Sequence, residues 1–326
     1  MILMSKIGRG IGKHYWRHVL LLVFGALPGF AAAQTADSAQ PFLGRWDVTL
    51  QTPQRQYSSW FDIQQVHGKL QVRMVARWGH ARLLPHAEIN NGVIRFVSPK
   101  DEEASPDDMV FEGHRSGDQL VGQTHGPDGA VWTWHAERAP ALLKKGTPHW
   151  GQPIQLFNGK DLSGWELIDA AKPSWQAADG KLVSQGTGSD LRSAALFGDF
   201  KLHIEFNCAP GANSGVYLRG RYELQIEDDS EQSPPDQRMG GIYGYLAPIA
   251  PVPRTPGVWQ TYDVTFIGRQ VTVVLNGKTV IDHKTIPGIT GGALDSKEAL
   301  PGPFVLQGSE PGQVAFRNIV LTPALE

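Results

Sequence analysis

Polar and apolar side chains alternate through the middle of the chain, between Asp199 and Asp228. The segments KLHIEFN, GVYLRG and RYELQIE place their apolar residues two apart, so each would form a strand with one apolar and one polar face. The turn PGANSG between the first two supplies glycine and asparagine for positive φ angles. Three short strands are therefore predicted, with a polar face that suits either sugar hydroxyls or solvent. The polar positions are Glu205, Asn207, Tyr217, Arg219, Glu223, Gln225 and Glu227.

The two-residue period continues on both sides of this stretch, from Gln152 to the end of the chain. Asn276-Gly277, between TVVL and KTVID, is a hairpin signal, and no long segment has the 3.6-residue period of a helix. Strands of this kind with Gly- and Pro-rich loops predict an all-β fold, a two-sheet jelly roll over residues 152–326. Long irregular stretches at 228–256 and 287–303 are expected to shape a site.

A separate β unit is predicted over residues 41–140. About eight short segments alternate there and are divided by turn signals such as Asn90-Asn91-Gly92. Either a small up-and-down barrel or a small sandwich fits this pattern. The opening Gly44-Arg45-Trp46 resembles the start of lipocalin-like barrels. The histidines of this unit show no metal-ligand spacing. Residues 141–151 are rich in Pro, Lys and Gly and form the predicted linker.

The first 33 residues have the features of a secretory signal peptide. Basic residues precede a short apolar run, and Ala31-Ala32-Ala33 provides a cleavage site before Gln34. We therefore expect export to a periplasm or the medium, with no membrane insertion after the signal is removed. The net charge of −2 gives no reason to expect a nucleic acid partner, and the single cysteine, Cys208, cannot form an internal disulfide.

Five blocks of the second unit together resemble one known family. They are LFNGKDLSGWE, then DFKLHIEF with GANSGVYLRG and YELQIED, then GGIYG, then PGVWQTYDVTFIGRQVTVVLNGKTVID, and last LQGSEPGQVAFRNIVL. In this order the set closely resembles the 3-keto-disaccharide hydrolase family over about residues 153–323. The resemblance implies a concanavalin-like jelly roll with a sugar site on its concave sheet. It also implies activity on glycosides whose C3 hydroxyl has been oxidised to a ketone.

Cleavage of such a substrate needs three kinds of group. The C3 ketone acidifies the C2 proton, so a base at C2, a cation at the enolate oxygen and an acid at the leaving oxygen suffice for elimination, after which water adds. Glu205 and Glu223 are the candidate catalytic proton-transfer groups, because alternation places both on the polar face of neighbouring strands. Arg219 is the candidate partner of the enolate oxygen, since its guanidinium is permanently charged. The candidate substrate-binding residues are Asn213, Gln225, Tyr243 and Gln307.

Several alternatives stay open at this stage. Arg219 and Glu223 could form an ion pair on a solvated face. No cofactor or metal ligand set is expected, although Asp228 and Asp229 could hold a divalent cation. Many family members have Asp-His after the Leu-Gln pair, where this chain has Gly308-Ser309-Glu310, so a histidine that could share the acid/base role is missing here.

The E-x-D-x-E motif of β-glucanases with a related fold is missing as well. Glu223 and Glu227 are four residues apart on a strand, about 13 Å, too far for the carboxyl pair of a retaining glycosidase. The sequence thus predicts an exported hydrolase of 3-keto-glycosides. The alternative is a non-catalytic carbohydrate-binding module that assists a glycan-degrading system.

Overall fold

The computed structural model describes residues 39–77, 79–142, 146–227, 233–250, 255–309 and 312–325. Within them the chain is almost entirely β-structure, which confirms the predicted all-β class. The helical elements are one short helix, α1 (Lys100–Glu103), and a 3₁₀ turn at Pro235–Gln237. None of the helices in these ranges is both long and apolar enough to cross a membrane. The predicted signal peptide lies outside the described residues.

Nine antiparallel strands form the first domain, in the order β4-β3-β2-β1-β9-β8-β7-β6-β5. Consecutive strands pair along the chain except β4 and β5, which are the two ends of the sheet, and β1 also pairs with β9. The strands are β1 (Gly44–Gln51), β2 (Gln56–Val66), β3 (Lys69–Val75), β4 (Ala81–Leu83), β5 (His86–Asn90), β6 (Val93–Ser98), β7 (Met109–Ser116), β8 (Gln119–His125) and β9 (Val131–Arg138).

The sheet of the first domain curls around one aromatic core, and we call this domain the barrel, although its end strands β4 and β5 are not paired with each other. Rings from β2, β6 and β9 meet there: Phe61 lies 4.8 Å from Phe96 and 5.4 Å from Trp134, measured between ring centroids. Phe111 of β7 stacks on Phe96 at 5.3 Å. In the sheet order, the strands β1, β9, β8 and β7 lie between β2 and β6, so a flat sheet could not bring their rings together. The sheet is therefore curled with its apolar face inside.

Two facing sheets form the second domain. The larger has the order β13-β14-β23-β16-β19-β20-β21, with β10 and β11 also paired to β23, and the smaller has the order β12-β15-β22-β17-β18. The strands are β10 (His149–Trp150), β11 (Ile154–Gln155), β12 (Trp165–Leu167), β13 (Trp175–Ala178), β14 (Lys181–Gln185), β15 (Leu191–Ser193), β16 (Phe200–Cys208), β17 (Asn213–Leu218), β18 (Tyr222–Glu227), β19 (Gln260–Ile267), β20 (Gln270–Leu275), β21 (Lys278–Thr285), β22 (Val305–Leu306) and β23 (Gln313–Leu325). This is the predicted jelly roll.

The core of the jelly roll lies between the two sheets. Leu202, Ile204 and Phe206 of β16 are buried from one side, and Val216 and Leu224 are buried from the other. All five are at most 2% exposed, so the two-residue period of the sequence is the period of core contact. The polar residues of β17 and β18 therefore lie on the opposite face of the smaller sheet, away from the core.

The pairing of β16 differs from the prediction. β17 and β18 are neighbours, as expected, but β16 pairs with β19 and β23 in the larger sheet. The turn PGANSG thus carries the chain from one sheet to the other instead of closing a hairpin. Alternation fixes which face of a strand is buried, but it does not fix which strand lies beside it.

The barrel packs against the jelly roll through the loop that follows β21. Arg45 of β1 forms an ion pair with Glu298, whose side chain is fully buried. Trp60 of β2 donates its indole N–H to the carbonyl of Ile289 at 3.0 Å, and its ring covers Gly288. A buried ion pair and a buried indole hydrogen bond therefore fix the barrel to this loop.

Candidate functional site

The polar face of the smaller sheet carries the candidate site. In the β17–β18 pair, Tyr217 lies opposite Glu223, and Asn213 lies opposite Glu227. Between these two pairs, Gly215 lies opposite Gln225. These residues share one parity, so all their side chains lie on the face away from the core. Glu223, Gln225 and Glu227 are nevertheless 8% exposed or less, so the polar face is covered rather than solvated.

Glu223 is the central acid of this face. Its carboxylate Oε2 accepts a hydrogen bond of 2.9 Å from the Tyr217 hydroxyl. Burial raises the pKa of Glu223, the Tyr217 hydrogen bond opposes this rise and the charge of Asp190 adds to it, and together they bring the pKa to about 8. A Cβ on Gly215 would lie 2.8 Å from Glu223 Oε1, so the missing side chain there makes room for the carboxyl group. Glu223 is therefore protonated at neutral pH.

Asp190 is a second acid of the site that the sequence did not reveal. It directly precedes β15, and burial raises its pKa, while a hydrogen bond of 2.9 Å from the Gly308 N–H opposes that rise. Asp190 also contributes to the raised pKa values of Glu223 and Tyr217, so these groups share one electrostatic environment. No motif contains Asp190, and only the pairing of β15 with β22 brings it to this face.

Two amide side chains of the prediction also lie on this face. The backbone of Gln307 is fixed between Gly215 and Ser214, through hydrogen bonds of 2.9 and 2.8 Å. Its side-chain Oε1 is buried and has no partner among the described residues. Gln225 is 3% exposed, and its Oε1 accepts the backbone N–H of Ile226 at 3.1 Å. Gln307 therefore offers an unused hydrogen-bond acceptor inside the site.

Tyr243 reaches the same face from a loop that lies along the edge of β18. Its backbone N–H donates to the carbonyl of Glu223 at 3.0 Å, and the Gly241 carbonyl accepts from the N–H of Gln225 at 3.0 Å. The half-buried Tyr243 side chain has a raised pKa, first because of burial and then because of the charges of Glu223 and Glu227. The motif GGIYG thus acts as an added edge segment that carries a phenol to the acids.

Glu205 lies elsewhere, so the prediction that it neighbours Glu223 is wrong. It belongs to β16 in the larger sheet, where its carboxylate accepts hydrogen bonds from Arg317 at 2.6 Å and from Asn318 at 3.0 Å. The Arg317 hydrogen bond is the main reason that the pKa of Glu205 is lowered. A partly exposed, ion-paired carboxylate on the other sheet cannot share a proton-transfer step with Glu223.

Arg219 is also not on the polar face, although the alternation predicts it there. Its φ of +52° turns the chain at the end of β17, and this breaks the alternation. The guanidinium donates to the carbonyl of Gly268 at 2.9 Å and to the Tyr222 hydroxyl at 3.4 Å, and it lies 4.9 Å from the ring of Phe266. Tyr222 and Phe266 are core residues, so Arg219 faces the core and not a substrate.

The opposite end of the face is more open. Asn213 is exposed at the start of β17, beyond Glu227. Asp228, Asp229 and Glu310 lie outside the described residues. Within the described ranges no group of three His, Cys, Asp or Glu residues is placed to hold a metal ion.

The sequence of the jelly roll identifies its family. Residues 152–322 match the 3-keto-alpha-glucoside-1,2-lyase-like domain, and this stretch is more than half of the chain. The chain belongs to that family. This confirms the resemblance predicted for about residues 153–323. The family is carbohydrate-active, and its domain begins at the end of the predicted linker.

Solved structures with a similar fold come from several bacteria. A candidate glycosyl hydrolase from Parabacteroides distasonis is 29% identical, with a TM-score of 0.46 over 57% of this chain and 95% of that chain. Another from the same organism is 25% identical, with a TM-score of 0.41 over 54% of this chain and 100% of that one. A β-glucanase from Bacillus licheniformis is 12% identical, with a TM-score of 0.38 over 56% and 100%. No curated protein matches the sequence.

Proposed function

We propose that the jelly-roll domain cleaves glycosides that carry a ketone at C3, by elimination followed by hydration. The observation that carries the proposal is the buried Glu223 carboxyl, with a pKa of about 8, on the polar face of the smaller sheet beside Asp190. Two neighbouring acids whose environments differ are suited to separate acid and base roles. The family membership supports this class of substrate.

The reaction needs one base and one acid. A carboxylate removes the C2 proton, and the electron pair of that C–H bond forms an enolate with the C3 ketone. The enolate then expels the C1 oxygen, which takes a proton from the acid and leaves as a free sugar hydroxyl. This expulsion restores the C3 ketone and forms a C1–C2 double bond. Water then adds across that bond, with its hydroxyl at C1 and a proton at C2, which gives the saturated 3-keto sugar and completes a net hydrolysis.

We assign the base role to Asp190 and the acid role to Glu223. Glu223 holds its proton at neutral pH, so it can donate to the leaving oxygen. Burial raises the pKa of Asp190, but the Gly308 N–H bond favours its charged form, and we therefore assign the proton-accepting role to this group. Tyr217, bonded to Glu223 at 2.9 Å, holds the acid in place.

Binding falls to the residues around this pair. Gln307 Oε1 would accept a hydrogen bond from a sugar hydroxyl, which removes the cost of leaving that atom buried without a partner. The Tyr243 phenol is the candidate donor to the enolate oxygen, a role for which the core-facing Arg219 is not placed. Gln225 and the exposed Asn213 would line the path towards the open end.

Release of free sugar from a 3-keto-disaccharide, with the unoxidised disaccharide in parallel, tests the proposal. Glu223→Gln and Asp190→Asn should each lower turnover by about 10²-fold or more, the range of general acid–base contributions. Glu205→Gln is the matched control, because it makes the same chemical change on the other sheet and should leave turnover intact. A second assay with a chelator tests whether a divalent cation takes part.

Other outcomes would reject the proposal in different ways. Saturable binding of unoxidised oligosaccharides without any product would favour the non-catalytic binding module. Release from the unoxidised disaccharide would indicate a conventional glycosidase. Loss of activity in Glu205→Gln, with Glu223→Gln still active, would move the site to the larger sheet.

A further inference from the structure

The barrel touches the jelly roll beside Glu223. The barrel turn, defined here as Arg77, Gly79 and His80 between β3 and β4, offers two carbonyls to the loop after β21. Gly291 donates its N–H to Gly79 at 3.2 Å, and Gly292 donates to Arg77 at 3.3 Å. The barrel therefore fixes the backbone of two consecutive glycines, which by themselves have wide conformational freedom.

His80 makes the second contact of the barrel turn. Its Nδ1 lies 3.3 Å from Nε2 of Gln237, and its Cβ lies where a side chain on Gly244 would be, 2.1 Å from an added Cβ. Gly244 follows Tyr243, whose N–H bonds to the backbone of Glu223. The barrel turn thus lies against both loops that flank Glu223.

The Tyr217 hydroxyl connects Gly291 to Glu223. The Tyr217 hydroxyl lies 2.9 Å from Glu223 Oε2 and 3.1 Å from the carbonyl of Gly291. A hydroxyl has one hydrogen, so it cannot serve both acceptors at once. When the hydrogen points to Gly291, the Tyr217 oxygen is free to accept a hydrogen bond from a protonated Glu223. When Glu223 is charged, the hydrogen turns to the carboxylate and the Gly291 carbonyl loses this donor.

We propose that the barrel is a positioning element of the site. The barrel turn fixes the Gly291 carbonyl against the Tyr217 hydroxyl, and this contact keeps Glu223 in its protonated form. Glu223 therefore retains the proton that it donates in the reaction. The catalytic consequence rests on the proposed function, whereas the effect on the protonation of Glu223 does not.

The described groups that face Glu223 all belong to the jelly roll. Tyr217 faces it from β17, Asp190 from the segment before β15, and Tyr243 from the loop along β18. From the loop after β21 the neighbours are the Gly291 carbonyl and Thr290, whose hydroxyl accepts the Glu223 N–H at 3.0 Å. The barrel turn contacts the loop after β21 through its backbone carbonyls. It therefore acts on Glu223 by positioning a neutral dipole, the Gly291 carbonyl.

The experiment measures the protonation of Glu223 without any substrate. Infrared difference spectra between the full chain and its Glu223→Gln variant isolate the C=O stretch of the protonated carboxyl, which is followed as the pH is raised from about 6 to about 10, a range that brackets the pKa. Two variants loosen the docking. Trp60→Phe removes the indole N–H that donates to the Ile289 carbonyl and to the Tyr245 hydroxyl, both at 3.0 Å, and the pair Arg45→Met with Glu298→Gln removes both charges of the buried ion pair. Replacing both Arg45 and Glu298 avoids leaving either of these two charges alone, but Asp47 loses its 3.2 Å ion pair with Arg45. Trp60→Phe is therefore the milder change if the double variant folds poorly.

The expected result is a titration midpoint near 8 for the wild-type chain that falls by about one pH unit, a tenfold change in proton affinity, in the docking variants. The matched control is Arg95→Met with Glu112→Gln, which removes an exposed ion pair of the barrel and should leave the midpoint unchanged. An unchanged midpoint in both docking variants would overturn the proposal, as would an equal fall in the control. Failure of the wild-type chain to cleave a keto sugar would instead reject the proposed function and leave this titration valid.

Discussion

Replacing Glu223 with glutamine should remove a contribution to folding stability that decreases as the pH rises. An ion-paired surface carboxylate contributes with the opposite sign. The substitution removes one ionisable group and keeps its size, and the Gln side chain can still accept the Tyr217 hydroxyl hydrogen at Oε1. In the wild-type chain the folded state holds the Glu223 proton up to about pH 8, whereas the unfolded chain releases it near 4.5. Folded Glu223 therefore binds more protons than unfolded Glu223 between these two values.

The sign and the size follow from linkage. Stability falls with rising pH wherever the folded state binds more protons, so this contribution is fully present below pH 4.5 and is lost as the pH rises through 8. At about 1.4 kcal/mol per pH unit, the loss is about 3 kcal/mol at pH 7 and about 5 kcal/mol above pH 8. Because Glu223 is 5% exposed, solvent screening reduces these figures little.

Urea unfolding of the wild-type chain and of Glu223→Gln at about pH 5, 7 and 9 measures this difference. The variant should gain stability relative to the wild type as the pH rises, by several kcal/mol across that range. Glu205→Gln is the control, since the lowered pKa of Glu205 has the opposite sign and an exposed ion pair contributes under about 1 kcal/mol. Parallel stability curves for the wild type and Glu223→Gln would refute the burial of an unpaired acid at this position.

Three further predictions concern Arg219, Gly215 and the pH dependence of the reaction. Arg219→Ala should lower the free energy of unfolding by about 1–3 kcal/mol, because the Gly268 hydrogen bond and the Phe266 contact are lost. The folded fraction should keep its activity, and thermal unfolding together with activity per folded molecule checks both statements. Gly215→Ala should lower turnover by about 10²-fold with little loss of stability, because the new Cβ displaces the Glu223 carboxyl; unchanged kcat would count against Glu223 as the acid of the reaction. The rate on a 3-keto-disaccharide should fall above pH 8 as Glu223 loses its proton, and a rate that still rises at about pH 9 would exclude Glu223 from this role.

The correct assignments in the site are those that depend on local geometry. Glu223 and Gln225 lie on the polar face as the alternation predicts, because β17 and β18 are joined by a short turn and their register follows from it. Tyr243 and Gln307 came from motifs of the family resemblance, and both lie beside this pair. The two-residue period likewise predicted an all-β chain, since it is set by each strand's own backbone.

The errors arise where the tertiary structure overrides a local pattern. Glu205 has the right parity, but its strand pairs in the other sheet, a choice made by contacts with β19 and β23 that lie far away in the sequence. Arg219 has the parity of the polar face, but a positive φ turns it to the core.

What the sequence alone determined is the type of structure, the buried face of each strand and the family, because these depend on short-range periodicity and on residue identity. What only the tertiary structure decided is which acids meet. Asp190 joins Glu223 through the pairing of β15 with β22, and the barrel reaches Gly291 through a contact between segments more than 200 residues apart. Long-range pairing depends on the packing of whole sheets, and neither the period nor the composition of a single strand encodes it.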